Sequence, residues 1–430
     1  MRFCMVTTFF GSHSFGGDAV YVDHLSRALL RRGHLVDVVY TPDAFNLLRG
    51  KQQPHAYTPP KGLRIRPLSE PLGAAWSFWT HQTGGLGPRR RSLQHILNGG
   101  HYDVIHYHNV SLIGGPAALL LDDPGMRAVR VMTVHDYWLL CALSVLWRSG
   151  GRVCDRPQCV RCSIRAGRPP QFWRHSDVMT QALERLDALI FPSVHSLSLH
   201  RSRGIRARHM VGLPCFLPSD WPLEGGKDDT RATGGSAGAA RPYFMLAGRL
   251  VPYKGFQDVI RLMERLPQYD LRIAGAGPME AELRGIADSR NVHFLGRLDA
   301  SDLVRTYRGA LALIVPSLFD EPFGYVVLEA LSLGTPAIVR HAGALPELID
   351  DGVGGVIFRN TDELLAAMTR VAADDGLRRE LGQRGREAVQ TRWSEDAHMA
   401  RYLALIERCR GSQPVVEQPH SRERSRGVGW

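Results

Sequence analysis

The stretch DEPFGYVVLEALSLGTPAIV, residues 320–339, holds two carboxylates, Glu321 and Glu329, on either side of an aromatic–glycine turn and an apolar run. FGYVVLEALSLG has the pattern of a helix ended by Gly334. The preceding ALALIVPS reads as a buried strand and the following TPAIVRHAG as the next one. Strand, loop with Glu321, helix with Glu329 about two turns in, and strand again form one unit of a parallel sheet covered by helices. The helix start offers unpaired N–H groups and partial positive charge, a place for a phosphate. Gly324 lets a ligand come close to the backbone. The two carboxylates can then accept hydrogen bonds from sugar hydroxyls on either side of the phosphates. A solvated Glu329 fits less well, because it stands between YVVL and AL.

The same alternation runs outward in both directions. FCMVTTF, LVDVVYT, YDVIHYH, RAVRVMTVHD and LDALIFPS read as strands of a first domain. Val22, Leu25 and Leu29 line one face of a helix closed by Gly33. YFMLAGRL, YDLRIAGAGP and NVHFLGRL begin a second series. Between the two series apolar periodicity is lost. The organisation expected is a domain over residues 1–218, a linker over 219–241, a domain over 242–392, a helix over 393–410 and a disordered tail over 411–430. The fold class is α/β, two doubly wound parallel sheets facing across a cleft, with ligands at the carboxyl ends of the strands.

Composition agrees with a globular protein: 430 residues, 44 % hydrophobic and 22 % charged. The net charge of +11 favours anionic partners such as phosphates, nucleotides or acidic membrane surfaces. No apolar run reaches the roughly 18 residues of a membrane span. The seven cysteines are an odd count and suit a reducing, cytoplasmic setting. The arginine-rich pieces PRRR and RSRGIRAR lack interleaved stacking aromatics, which argues against nucleic acid.

Further residues that can carry chemistry also follow strands. LAGRLVPYKGF presents Arg249 and Lys254 on a glycine-flanked loop, where two cations can neutralise a diphosphate. IAGAGPM supplies Gly275, Gly277 and Pro278, a tight turn or a ligand-facing loop. Gly16 and Gly17 lie between the first strand and first helix. MTVHDYW puts His135 and Asp136 at a strand end, able to bond a sugar or phosphate, or merely structural. His106 and His108 in VIHYHN occupy a similar strand end and could line the side of the cleft opposite the phosphates.

EPFGYVVLEAL with GTPAIV and GALPELI, preceded by AGRLVPYKG and GGDAVYVDHLSRALLRRGH, resembles the retaining glycosyltransferases of family four, also called glycosyl transferases group one. The likeness runs from about Arg2 to Cys409. It implies a GT-B fold and transfer of a sugar from a nucleotide diphosphate sugar, most commonly a uridine one, to a sugar or lipid-linked acceptor. By this resemblance Glu321 contacts the transferred sugar, Glu329 the ribose, and Arg249 and Lys254 the diphosphate. Gly16 and Gly17 face the phosphates and His135 the donor sugar. Phe323, Gly324 and Tyr325 close over sugar and phosphate, while Gly275, Gly277, Pro278 and Arg297 flank the base. No catalytic metal or other cofactor is required. A sugar-nucleotide epimerase and a non-catalytic binding scaffold are the alternatives.

Two features stand apart. Cys141, Cys154, Cys159 and Cys162 fall within one short stretch, spacing that suits a structural zinc site, buried thiols or labile disulfides. The basic residues at 89–91 and 201–208 belong to the first domain, where they can attract an anionic membrane at the inner face.

Overall fold

The computed structural model describes residues 1–48, 53–121, 128–148, 151–221, 241–287, 290–349 and 352–411. Most of the linker and the tail read from the sequence lie outside them.

The first sheet is built from β1 (Arg2–Val6), β2 (Leu35–Tyr40), β3 (Leu63–Pro67), β4 (Val104–Tyr107) and β5 (Val129–Thr133). A small antiparallel hairpin, β6 (Trp147–Arg148) and β7 (Arg152–Val153), interrupts it before β8 (Ala188–Phe191) and β9 (Met210–Gly212). The order is β3-β2-β1-β4-β5-β8-β9, with parallel pairing between neighbours. β1 is central, and Phe3, Cys4, Met5 and Val6 are fully buried, as a strand covered on both faces requires. The first helix, Gly17–Arg31, buries Val22, Leu25 and Leu29 and ends through Gly33, whose φ is 78°. That left-handed turn lets His34 N–H reach Leu29 O at 3.1 Å.

The second sheet comprises β10 (Tyr243–Ala247), β11 (Asp270–Ala274), β12 (Val292–Gly296), β13 (Ala310–Val315), β14 (Ala337–Arg340) and β15 (Gly355–Phe358). Its order is β12-β11-β10-β13-β14-β15, again with parallel neighbours. These are two Rossmann-like domains, each with helices on its sheet, facing across a cleft. In each, the strand order reverses beside the first strand, between β1 and β4 and between β10 and β13. Loops leaving such a reversal point diverge and open a crevice at the carboxyl ends of the strands.

The last helix, Glu395–Gly411, returns to the first domain. It buries Met399, Tyr402, Leu405 and Ile406, each such aliphatic side chain contributing about 1.5–3 kcal/mol. Its Tyr402 hydroxyl lies 2.9 Å from His106 Nδ1, and His398 Nε2 lies 3.1 Å from the Tyr21 hydroxyl. Burial alone would raise the Glu395 carboxyl, but Arg31, the Ser219 N–H and Arg32 hold it down to about 2. Among the described residues no helix is long and apolar enough to cross a membrane.

Two expectations change here. Arg89 is no surface cation: it is fully buried, donating to Asp43 at 2.9 Å, Gly73 O at 2.9 Å and Ser77 Oγ at 3.0 Å. A buried guanidinium needs such partners, and only Arg90 and Arg91 of that run are exposed. His106 does not line the cleft either, because it is fully buried between Thr133 and Tyr402.

Candidate active site

The crevice of the second domain is built by the loops after β10 and β13. The loop after β10 carries Arg249, exposed and without a side-chain hydrogen bond or ion pair among the described residues. A 3₁₀ turn, Pro252–Lys254, follows and closes on Gly255 at φ 72°. A Cβ at Gly255 would lie 2.2 Å from Pro316 O, so only glycine lets this loop rest against the end of β13. Lys254 Nζ thereby reaches Glu321 Oε1 at 2.5 Å. Ser317 Oγ donates to the same oxygen at 2.5 Å, and Glu321 is 6 % exposed.

Gly275 and Gly277 act on this loop from the next strand. A Cβ at Gly275 would stand 1.9 Å from Gly248 O, and one at Gly277 2.3 Å from Leu250 O. Both are required for close packing of the Arg249 loop, while the adjacent Pro278 is exposed, as is Arg297 after β12. Arg297 lowers the pKa of His55, after burial the largest contribution, so it faces the first domain.

The helix Tyr325–Ser332 begins behind Gly324, at φ 129°. Glu329 is therefore one turn inside it, not two. Its carboxylate accepts from the Tyr307 hydroxyl at 2.8 Å, and burial pushes its pKa up. Phe323 is buried, and its ring meets Tyr325 at 5.8 Å. Tyr325 points across the cleft: a Cβ at Gly17 would lie 3.5 Å from its ring. The glycine turn of one domain thus faces the FGY turn of the other, with Gly16 at φ 77° opening the first helix.

His135 leaves β5 beside that turn. Its Nε2 is 3.0 Å from His108 Nδ1, its ring packs edge-on to Tyr21, and burial takes its pKa down to about 3. It is a neutral imidazole at physiological pH and offers a hydrogen bond rather than a charge. Next to it burial raises Asp136 to about 7, against the Trp138 N–H and with Asp18 adding to the rise. Burial likewise raises Asp18 to about 6, although the Ala19 N–H and Asn109 bond it. Two carboxyls with raised values in a cleft make this a candidate functional centre.

The two domains are tied at this point. Ser193 Oγ of the first domain donates to Pro322 O of the second at 2.8 Å. Glu347 accepts from the backbone N–H groups of Val194 and His195. Tyr137 feels the charges of Asp320, Glu321 and Glu347 as well as Asp136. The structure therefore brings His135, Glu321, Lys254, Gly16 and Gly17 to one cleft, with Arg249 at its edge. Sequence reading passed over Asp18, Asn109 and Glu347, of which only Asp18, directly after the glycine pair, carries a local signal.

The four clustered cysteines line one small cavity of about 20 Å³. All are free thiols, and among the described residues no group of three or more His, Cys, Asp or Glu side chains is placed to hold a metal ion. Cys4, Cys215 and Cys409 are separately buried.

Two Rossmann-like domains facing across a cleft, with a loop carrying Arg249 and Lys254 at the strand ends of the second, have the architecture of the GT-B fold. Residues 15–220 match the family described as Glycosyltransferase Family 4, and residues 236–388 the family described as Glycosyl transferases group 1. The chain belongs to this glycosyltransferase family. A glycosyltransferase of Methanocaldococcus jannaschii, itself uncharacterised, is 25 % identical over 92 % of this chain and 95 % of its own. Sucrose-phosphate synthase of Thermosynechococcus elongatus shares the fold with a TM-score of 0.73 and 22 % identity, over 96 % of this chain and 100 % of the other. The Anabaena protein Alr3699/HepE, solved with UDP-glucose, superposes with a TM-score of 0.62 at 17 % identity, over 95 % of this chain and 100 % of that one.

Proposed function

We propose that this glycosyltransferase moves a sugar from a nucleotide diphosphate sugar, held by residues 242–392, to an acceptor held by residues 1–218, with retention of anomeric configuration. The observation that carries the reading is Arg249, without a side-chain partner among the described residues, on the same loop as Lys254 of the Lys254–Glu321 pair at the strand reversal. When the bond between the anomeric carbon and the phosphate oxygen breaks, the electron pair leaves with the diphosphate. Arg249, Lys254 and the start of the helix Tyr325–Ser332 receive that charge, so bond cleavage proceeds without a metal ion. Glu321 stays with the transferred sugar and balances the charge developing on it. The acceptor hydroxyl attacks on the face the diphosphate leaves, and its proton passes to the departing oxygen. His135 bonds the donor sugar, Glu329 exchanges Tyr307 for ribose hydroxyls, and Gly16 and Gly17 admit the phosphates.

Turnover of UDP-, ADP- and GDP-sugars in EDTA, with the product anomer read by NMR, tests this. Diphosphate release that needs an acceptor and gives the donor's anomer supports it. An epimerised donor, or binding without turnover, refutes it. The zinc clip is a separate proposal resting on cysteine spacing: one zinc per purified chain supports it, and none refutes it.

A further inference from the structure

The first domain contains a second cavity, of about 310 Å³, that nothing above uses. Phe9, Leu112, Trp138 and Leu143 give it an apolar wall, and His81, Asn109, Ser111, Ser144 and Gln171 line the rest. Leu47, Leu48 and Phe78 stand exposed at its rim. Its other end shares Asn109 and Trp138 with the small pocket that holds His135 and Asp136. The cavity therefore has an apolar mouth on the surface and adjoins, through Asn109 and Trp138, the pocket of Asp136. Three large apolar side chains left in water around one opening are what a hydrocarbon partner would cover.

Arg168 also lines it. No described residue pairs with its guanidinium, and its charge reaches His81 of the same cavity and Arg249 of the other domain. A cation between an apolar cavity and the diphosphate site complements an anion carried next to a hydrocarbon chain. We infer that the acceptor is an anionic amphiphile. Its chain lies in this cavity, its phosphate-type head bonds Arg168, and the hydroxyl to be glycosylated points past Asn109 toward Asp136. An oligosaccharide acceptor would use the polar part of the lining and leave Leu47, Leu48 and Phe78 exposed at the rim uncovered. The inference rests on the transferase reading for its purpose, not for its binding.

Calorimetry with inorganic phosphate and with hexyl, octyl and decyl phosphate below their micellar concentrations tests it on the full chain. Affinity should rise about fourfold per methylene until the cavity is full. Phe78→Asp, and independently Leu48→Asp, should weaken decyl phosphate at least tenfold. Arg168→Ala should weaken octyl phosphate while leaving octyl glucoside unchanged. Affinity independent of chain length, or maltotriose binding that Phe78→Asp abolishes, overturns the inference. UDP, ADP and GDP are titrated into the same variants. Loss of all nucleotide binding in wild type would sink the transferase reading alone, and normal nucleotide binding beside absent amphiphile binding would sink this inference alone.

Discussion

Glu347 of the second domain accepts a hydrogen bond from the backbone N–H of His195 in the first, at 2.6 Å. Its other oxygen takes the Val194 N–H at 2.9 Å, so one carboxylate caps the helix Val194–Ser202 across the cleft. Ser193 and Pro322 join beside it. Hydrogen bonds to a charged group contribute about 1.5–3 kcal/mol each. Glu347→Ala should therefore lower kcat/KM for the donor about 10- to 100-fold and enlarge the radius of gyration in small-angle scattering. An unchanged rate and radius would remove Glu347 from domain closure.

Lys254 and Glu321 form the pair at the reacting centre. Removing one charge leaves the other poorly solvated. Lys254→Ala should reduce kcat about 10²–10³-fold, the usual loss of one donor to a developing anion. Glu321→Gln keeps the shape and should lose a comparable factor in kcat with a smaller change in donor affinity. Wild-type rates in either variant would refute the assignment.

Gly255 and Gly343 hold this pair in place by having no side chain. Their φ values are 72° and 59°, and a Cβ would sit 2.2 Å from Pro316 O and 2.2 Å from Glu321 N respectively. Either change to alanine adds a left-handed penalty of about 1–2 kcal/mol to a backbone clash. Each should lower the melting temperature by roughly 5–10 °C and abolish activity. Gly33→Ala is the control. Its φ is 78° but nothing lies within 4 Å of the added carbon, so it should cost stability only. Circular dichroism and the transfer assay read both.

Asp136 sets a pH dependence. Its folded value of about 7 exceeds the ordinary 3.8, so the neutral form favours the fold. That contribution is complete below 3.8 and is lost as the pH rises through about 7. Asp136→Asn cannot ionise, and its melting temperature should gain on wild type from about pH 4 to about pH 7 and level off above that. If ionised Asp136 bonds the acceptor hydroxyl, wild-type kcat/KM rises through about 7 and the variant's stays low and flat. A melting gap that does not change with pH contradicts the buried carboxyl.

Much of the fold is legible along the chain because parallel strands buried on both faces read as unbroken apolar runs, as in FCMV and ALIV. β3 is not, since LRIRP alternates with arginines that reach the buried Asp37. β15, at the sheet edge, hides among glycines. Glu321, Lys254 and His135 follow β13, β10 and β5, and a local strand pattern is enough to place them there. What could not be read depends on partners far away in sequence. Arg89 finds Asp43, Glu329 finds Tyr307, Glu347 finds the helix at Val194, and the last helix crosses back to His106. No local pattern encodes these meetings.

The central claim is that Arg249 and Lys254 receive an anionic diphosphate. Titration of UDP, ADP and GDP into wild type and Arg249→Ala, in EDTA, tests it most directly. At least one nucleotide should bind wild type and bind the variant about tenfold or more weakly, a loss of roughly 1.4 kcal/mol or more. Equal affinity of both proteins for that nucleotide would contradict the account.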